Sequence, residues 1–379
     1  MNIDELLTPA LLLDYDILES NLRRMQDRAH EMKVVLRPHV KTHKCVNIAK
    51  MQASLGASGI TVSTFYEAEQ FAANGFNDIT WALPFPLSYA EKTLDLADKI
   101  TLRVVVDSPE AVEHLEQMFA MNPGKLHVWL KVDCGSHRAG VNPFSQIAEQ
   151  LAASLANSQT LVFDGILGHA GHSYKAKSKE EIIKIAEDER SVMVRFSERL
   201  QKRNISVPSI SIGSTPTTTF AKTLEGINEV RPGNYAFNDY TQAQLGVCTV
   251  GECALTVLSS VISHQPSAQS FITDAGALAL SKDLGATHLR NDMGMGAVYE
   301  DYERKRLYAH IDLQIQNLSQ EHGTVFAEQV EHIKGRFKVG DKIRILEHHA
   351  CLTAANFDQY YVTRGEKVVD RWKILRGRT

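Results

Sequence analysis

Residues 34–44 read VVLRPHVKTHK: an apolar run, then five basic or titratable side chains set around Lys41. The run has the β-branched character of a buried strand, and the basic residues fall where that strand ends. Period-two alternation puts Arg37, His39 and Lys41 on one face and leaves His43 and Lys44 for a following helix. Seven further runs of the same kind follow: GITVS (59–63), DITWAL (78–83), ITLRVVVD (100–107), LHVWLKVD (126–133), LVFDGILGH (161–169), SISIGS (209–214) and NEVRPG (228–233). Between them lie pieces with helical spacing, such as KCVNIAKMQASLG and SPEAVEHLEQMFA, several ending in the glycine that commonly stops a helix. Eight strands alternating with helices predict an α/β protein with a parallel, TIM-like (β/α)8 barrel. A doubly wound open sheet is the alternative, but no glycine-rich phosphate fingerprint follows the first run.

The pattern changes after residue 245. ALTVLSSVISH, SFITDAG, HIDLQIQNLS, GTVFAEQV and DKIRILEH are strand-like, with almost no helix between them. The expected organisation is a barrel over 18–245 and a β-rich domain built from 1–17 and 246–379, with TPALLLDY (8–15) supplying it a strand. At 379 residues, 44% hydrophobic and 23% charged, the composition is that of a globular enzyme. A net charge of -4 gives no reason to expect a nucleic-acid or anionic-membrane partner. No apolar run reaches the roughly 18 residues of a membrane span, and MNIDELLTPA has neither the basic nor the apolar part of a signal peptide. Five scattered cysteines fit a reducing cytoplasm better than a disulfide framework.

In a closed parallel barrel the site forms at the C-terminal strand ends, and polar residues gather there. The first run ends in His39 and Lys41, the fifth in DCGSHRAG with Arg138, the sixth in HAGHSY with His169, His172 and Tyr174, the seventh in GSTPTTT, the eighth in RPGNY. Gly213, Ser214 and Thr215 offer small residues, hydroxyls and backbone N–H groups suited to a phosphate, or equally an ordinary turn with a helix cap. Gly233 and Asn234 could add donors. A phosphate pocket, a lysine at a strand end and nearby ring partners together suggest pyridoxal 5'-phosphate on a Schiff-base lysine. A second concentration, EHHACLT (347–353), places His349 and Cys351 on one side if the segment is a strand, and imidazole with thiolate suits Zn²⁺. Two ligands are too few for a structural zinc, so others would come from water, substrate or a residue such as Glu321. Cys45 and Cys134 read as buried small hydrophobes, and the acidic run KEEIIKIAEDER as a solvated helix face.

RPHVKTHK, GASGITVSTFYEAEQF, DCGSHRAGV, HAGHSY, SIGSTPT, EVRPGNY, FITDAG, SQEHG and HHACLT occur in order over nearly the whole chain. This set resembles the D-serine dehydratase and D-threonine aldolase group, to which D-threo-3-hydroxyaspartate dehydratase also belongs, within the alanine-racemase-like pyridoxal phosphate enzymes. The resemblance implies that Lys41 carries the cofactor and that Gly213, Ser214, Thr215, Gly233 and Asn234 hold its phosphate. It places Arg138 by the phenolate oxygen, His169 against the ring, Tyr174 and Tyr235 along the pocket and Arg231 at the pyridine nitrogen. His349 and Cys351 become the ligands of Zn²⁺ or another divalent metal. MGMG (293–296) departs from the aromatic-rich stretch of relatives, so the substrate side of the pocket differs. His-x-Cys is the dehydratase form of the metal pair; the aldolase branch has His-x-Asp.

The implied activity is β-elimination from a D-3-hydroxy amino acid to a 2-oxo acid and ammonia, by a cytoplasmic homodimer. A retro-aldol lyase giving glycine and an aldehyde is the nearest rival. A racemase lacks its lysine motif here, and a non-catalytic pyridoxal phosphate carrier would not need the β-rich domain with its metal pair.

Overall fold

A computed structural model describes residues 1–265, 269–290, 294–301, 306–307, 313–327, 333 and 336–377. Met293 of MGMG, residues 310–312 of HIDLQIQNLS and residues 328–330 of GTVFAEQV lie outside the described residues. The chain forms two compact units. One comprises Arg24–Lys41, Ile48–Gly233 and Gly377; the other comprises Met1–Arg23, Thr42–Asn47 and Asn234–Arg376. These bounds differ from the expected 18–245 division. Local hydrogen bonding explains why: the Tyr360 hydroxyl donates to the His43 carbonyl at 2.7 Å, and Asn234 donates to Asp239 at 2.6 Å, all inside the second unit.

In the first unit the eight expected runs form the strands Val35–Leu36, Ile60–Val62, Asp78–Pro84, Thr101–Val106, His127–Lys131, Val162–Leu167, Ile210–Ile212 and Glu229–Val230. Each pairs in parallel with its neighbour, and the first pairs with the eighth. A parallel bridge between His39 and Thr61 joins the first strand's extension to the second strand and closes the ring. Buried Val104, Val106, Val128, Leu130 and Ile166 fill successive strands with almost no exposure, which is why these runs read as continuous hydrophobic stretches rather than alternating ones.

A chain of charges crosses these strands. Arg37 donates to Glu229 at 2.6 Å and to Asp78; Asp78 also accepts from Arg103, which reaches Asp164 at 2.7 Å, and Asp164 bonds His127 at 2.8 Å. Arg37 is buried, and its carboxylate partners overcome the burial penalty to hold its pKa above the ordinary arginine value. Gly59 makes room for it: its φ is +143°, and a Cβ there would collide with the Arg37 guanidinium.

In the second unit, Leu255–Gln265, Ser270–Thr273, Gly323–Phe326, Gln314–Leu318, Ala297–Asp301 and Lys342–Leu346 pair in that order and return to Leu255–Gln265, making an antiparallel β-barrel. Leu255–Gln265 can take three partners because it changes neighbour along its length, with a bulge between Val261 and Ser263. Ala10–Asp14 pairs with it and, in parallel, with Gln359–Arg364, which in turn pairs with Lys367–Lys373. Ala10–Asp14 is buried along its whole length, and that explains its unbroken ALLL.

Two expectations need correction. The acidic helix Lys179–Gln201 is not a solvated face throughout, because Glu189 lies buried among Ile182, Ile185, Ala186 and Met193. EHHACLT is not a strand: His349 caps the short helix Ala350–Ala354. Among the described residues no helix is long and apolar enough to cross a membrane.

Arg37→Ala leaves Glu229 buried without its cation. It should destabilise the protein by about 3–5 kcal/mol, read as a lowered midpoint in urea unfolding. A loss below about 1 kcal/mol would mean the charge chain is not what ties these strands together.

Candidate active site

The stretch 36–39 lies between the eighth and second strands. Ser58 donates its N–H to Leu36, Thr61 donates to Pro38 at 2.8 Å, and His39 donates to Pro232 at 2.9 Å. These bonds fix the backbone up to residue 39, and the 3₁₀ turn Val40–Thr42 then presents Lys41, half-buried, at the strand end. That turn ends the period-two alternation, so Arg37 does not share a role with Lys41; its donors serve Glu229 and Asp78. His43 and Lys44 do not begin the helix either. The His43 Nδ1 accepts from the Cys45 N–H at 3.1 Å, and the helix starts at Val46.

Around the other strand ends the barrel unit gathers positive charge. Lys131, the last residue of the fifth strand, is buried; burial, Arg231 and Arg138 together lower its pKa to about 8. Arg231 donates to Ser211 Oγ and, at 2.6 Å, to the Gly168 carbonyl. Burial lowers its pKa to about 10, opposed by Glu229 and Glu189, and it stays charged at neutral pH. His169 sits at the end of the sixth strand. Its Nδ1 faces the Gly213 carbonyl at 3.1 Å, and since a carbonyl only accepts, Nδ1 carries the proton. Burial first, then Lys41, Lys131 and Arg138, push the His169 pKa down to about 3, so the ring is neutral with its Nε2 lone pair available. Cys134, as expected, is a buried thiol, its pKa raised to about 12 by burial.

The GSTPT turn is a capped helix start: Ser214 Oγ accepts from the Thr217 N–H, and Ser173 Oγ lies 2.9 Å from Ser214 Oγ. Gly213 has φ +112°, and a Cβ there would sit 2.9 Å from Thr218 Oγ1. The backbone differs from expectation in one respect. The Gly213 N–H is taken by Glu189 and the Ser214 N–H by Thr217, so these two donors shape the turn rather than standing open to a ligand. Thr215, Arg231 and Gly233 are buried beside it, Tyr174 is half-buried in the 3₁₀ turn Gly171–Lys175, and Arg138 is exposed on its loop. Asn234 and Tyr235 open the second unit in a buried 3₁₀ turn. Sequence reading missed Lys131 and Glu189. A lone lysine inside the apolar run LHVWLKVD was the available signal for the first; Glu189 gave none, being one of several acids on its helix.

The barrel-mouth residues fit a pyridoxal phosphate. Four cations, Lys41, Lys131, Arg138 and Arg231, sit around a neutral imidazole and a glycine turn that excludes a Cβ, a setting that calls for the phosphate and phenolate charges of such a group.

In the second unit His349 and Cys351 meet although they are not on a strand: His349 stands extended at the N-cap of the short helix and Cys351 lies in its first turn. His349 hydrogen-bonds to the Cys351 side chain and donates from Nδ1 to Asp283 Oδ2 at 2.9 Å. Burial opposes the charge on His349, but these bonds carry its pKa up to about 11. The Cys351 thiol donates to Thr42 Oγ1 at 3.3 Å. An imidazole oriented by a carboxylate, with a thiol beside it, suits Zn²⁺. Among the described residues no group of three or more His, Cys, Asp or Glu could hold a metal, and Glu321 is exposed. The pair therefore suits a metal that completes its shell with water or substrate.

The alanine racemase N-terminal domain matches residues 13–241 and the serine dehydratase domain matches residues 254–363. The chain is similar to D-threo-3-hydroxyaspartate dehydratase of Delftia sp., at 37% identity over 98% of this chain and 97% of that one. It is also similar to D-serine dehydratase of Dictyostelium discoideum, at 34% over 97% and 96%. A solved structure of a D-threo-3-hydroxyaspartate dehydratase, a cysteine-to-alanine mutant in the metal-free form, superposes with a TM-score of 0.93 at 35% identity over the whole of both chains. Relatives named as 3-hydroxy-D-aspartate aldolases match as well. The chain belongs to the D-serine dehydratase family of alanine-racemase-like lyases.

With so low a pKa, His169 should stay neutral across the neutral pH range. Its ring resonances, assigned through the loss of one signal in His169→Gln, should not move. A titration near the ordinary histidine value of 6.5 would contradict the buried, cation-flanked setting.

Proposed function

We propose that the protein is a pyridoxal phosphate- and divalent-metal-dependent lyase that removes water from a D-3-hydroxy amino acid, giving a 2-oxo acid and ammonia. The observation that carries this is the gathering of Lys41, Lys131, Arg138 and Arg231 at the barrel's strand ends around a neutral His169. Lys41 would bear the cofactor, and Thr215, Gly233 and Asn234 would hold its phosphate on the turn that Gly213 and Ser214 shape. Arg138 would meet the phenolate oxygen, His169 the ring and Arg231 the pyridine nitrogen, with His39, Tyr174 and Tyr235 around them. His349 and Cys351 would bind zinc. When bound, the cofactor draws electrons from Cα and the metal draws them from the departing hydroxyl.

The protein's own groups then have defined tasks. The Lys41 amine accepts the Cα proton; it stands on a 3₁₀ turn beyond the strand, whereas Lys131 ends a strand. Arg231 remains charged, and at the pyridine nitrogen it would offer a hydrogen bond instead of a proton, which would weaken electron withdrawal there. Hydroxide is a poor leaving group, so a metal held by His349 and Cys351 would supply Lewis-acid help there; Asp283 accepts from His349 Nδ1 and so orients the imidazole that would hold it. The metal-free form named for the dehydratase mutant supports a metal in this family. Five free cysteines support a reducing cytoplasm, and the resemblance supports a homodimer.

Retro-aldol cleavage is the second reading, favoured by the aldolase relatives. Purified enzyme supplied with D-serine, D-threonine and 3-hydroxy-D-aspartate should release 2-oxo acid and ammonia. Glycine with an aldehyde would establish the aldolase instead. Cys351→Asp should lower bound zinc and shift product from oxo acid toward glycine. Unchanged zinc and an unchanged product ratio would remove Cys351 from the metal site.

A further inference from the structure

Glu189 is a buried carboxylate on the helix Lys179–Gln201, with 1% of its surface exposed. Its apolar neighbours on that helix give packing no reason for a charge here, and burial pushes its pKa up from the ordinary carboxylate value. Its contacts are specific. Oε1 accepts the Ala170 N–H at 2.8 Å and the Gly213 N–H at 3.2 Å, and the carboxylate also bonds the Thr217 side chain. Ala170 follows His169, and Gly213 opens the turn of Ser214 and Thr215. The same two segments meet again where His169 Nδ1 donates to the Gly213 carbonyl and Ser173 bonds Ser214.

We propose that Glu189 is a positioning residue: one of its oxygens, shared between the Ala170 and Gly213 N–H groups, sets the spacing between the His169 loop and the phosphate-binding turn. It touches neither cofactor nor substrate. It acts by fixing where the imidazole and the turn stand relative to each other, and so governs how tightly the cofactor's ring and phosphate are held at once. The inference rests on the proposed cofactor site.

The test is equilibrium titration of the full-length chain, stripped of cofactor, with pyridoxal 5'-phosphate, followed by intrinsic fluorescence. Glu189→Ala should raise Kd about tenfold or more, since two buried donors lose their acceptor. Glu189→Gln should stay within about threefold of wild type, because its amide oxygen accepts the same two N–H groups. Glu189→Asp keeps the charge but is one methylene short, and should bind as weakly as Glu189→Ala; it decides the matter with Glu189→Gln if the alanine variant does not fold. Ile185→Ala, buried on the same helix, controls for general loss of stability and should leave Kd unchanged. Wild-type affinity in both Glu189→Ala and Glu189→Asp, Glu189→Gln as weak as Glu189→Asp, or an equal loss in Ile185→Ala would each overturn the inference. Failure of the wild-type chain to bind the cofactor at all would instead overturn the proposed function.

Discussion

The closure of the barrel at residues 36–39 is the constraint on which the site depends. One peptide segment hydrogen-bonds on one side to the eighth strand through His39 and Pro232, and on the other to the second strand through Pro38 and Thr61. A chain pinned on both sides has little freedom over the next two residues, so Lys41 leaves the ring from a fixed origin. The same closure requires the buried Arg37 to find anions, and it finds buried Glu229 and half-buried Asp78, each from a different strand. The crowd of charge in RPHVKTHK thus divides by position: Arg37 braces the ring, His39 closes it, Lys41 stands in the 3₁₀ turn at the strand end, and His43 with Lys44 belongs to the second unit.

Charge balance explains the rest of the barrel mouth. Burial, with three nearby cations, keeps His169 neutral, while burial and two arginines make Lys131 less basic. Glu229 and Glu189 are the buried carboxylates that offset Arg231. Both are committed elsewhere: Glu229 holds Arg37 and Ser211, and Glu189 holds two backbone N–H groups. The residual positive field at the strand ends is therefore a built feature, suited to an anionic cofactor and a carboxylate substrate.

Much of this was legible in the sequence. All eight barrel strands were, because strands buried on both faces read as short apolar runs, and the site's strand ends followed from closure. What local pattern could not give was what happens just beyond a strand end. Alternation put Arg37 on the face of Lys41, and His349 with Cys351 on one side if their segment were a strand, yet a 3₁₀ turn and a short helix stand there. The GSTPT donors were legible as donors but not as already engaged, since Glu189 lies 24 residues away in sequence from Gly213. Lys367–Lys373 was missed because it mixes charge with apolar residues on an exposed sheet edge.

The central claim is that the barrel's closure delivers one particular amine, Lys41, to the cofactor, although Lys131 is a second amine at the strand ends and is made less basic by its surroundings. Borohydride reduction of the cofactor-loaded protein, followed by peptide mass mapping, reads this directly. The account predicts a pyridoxyl group on the peptide containing Lys41 and none on that containing Lys131. A label on Lys131, or on neither, would contradict it.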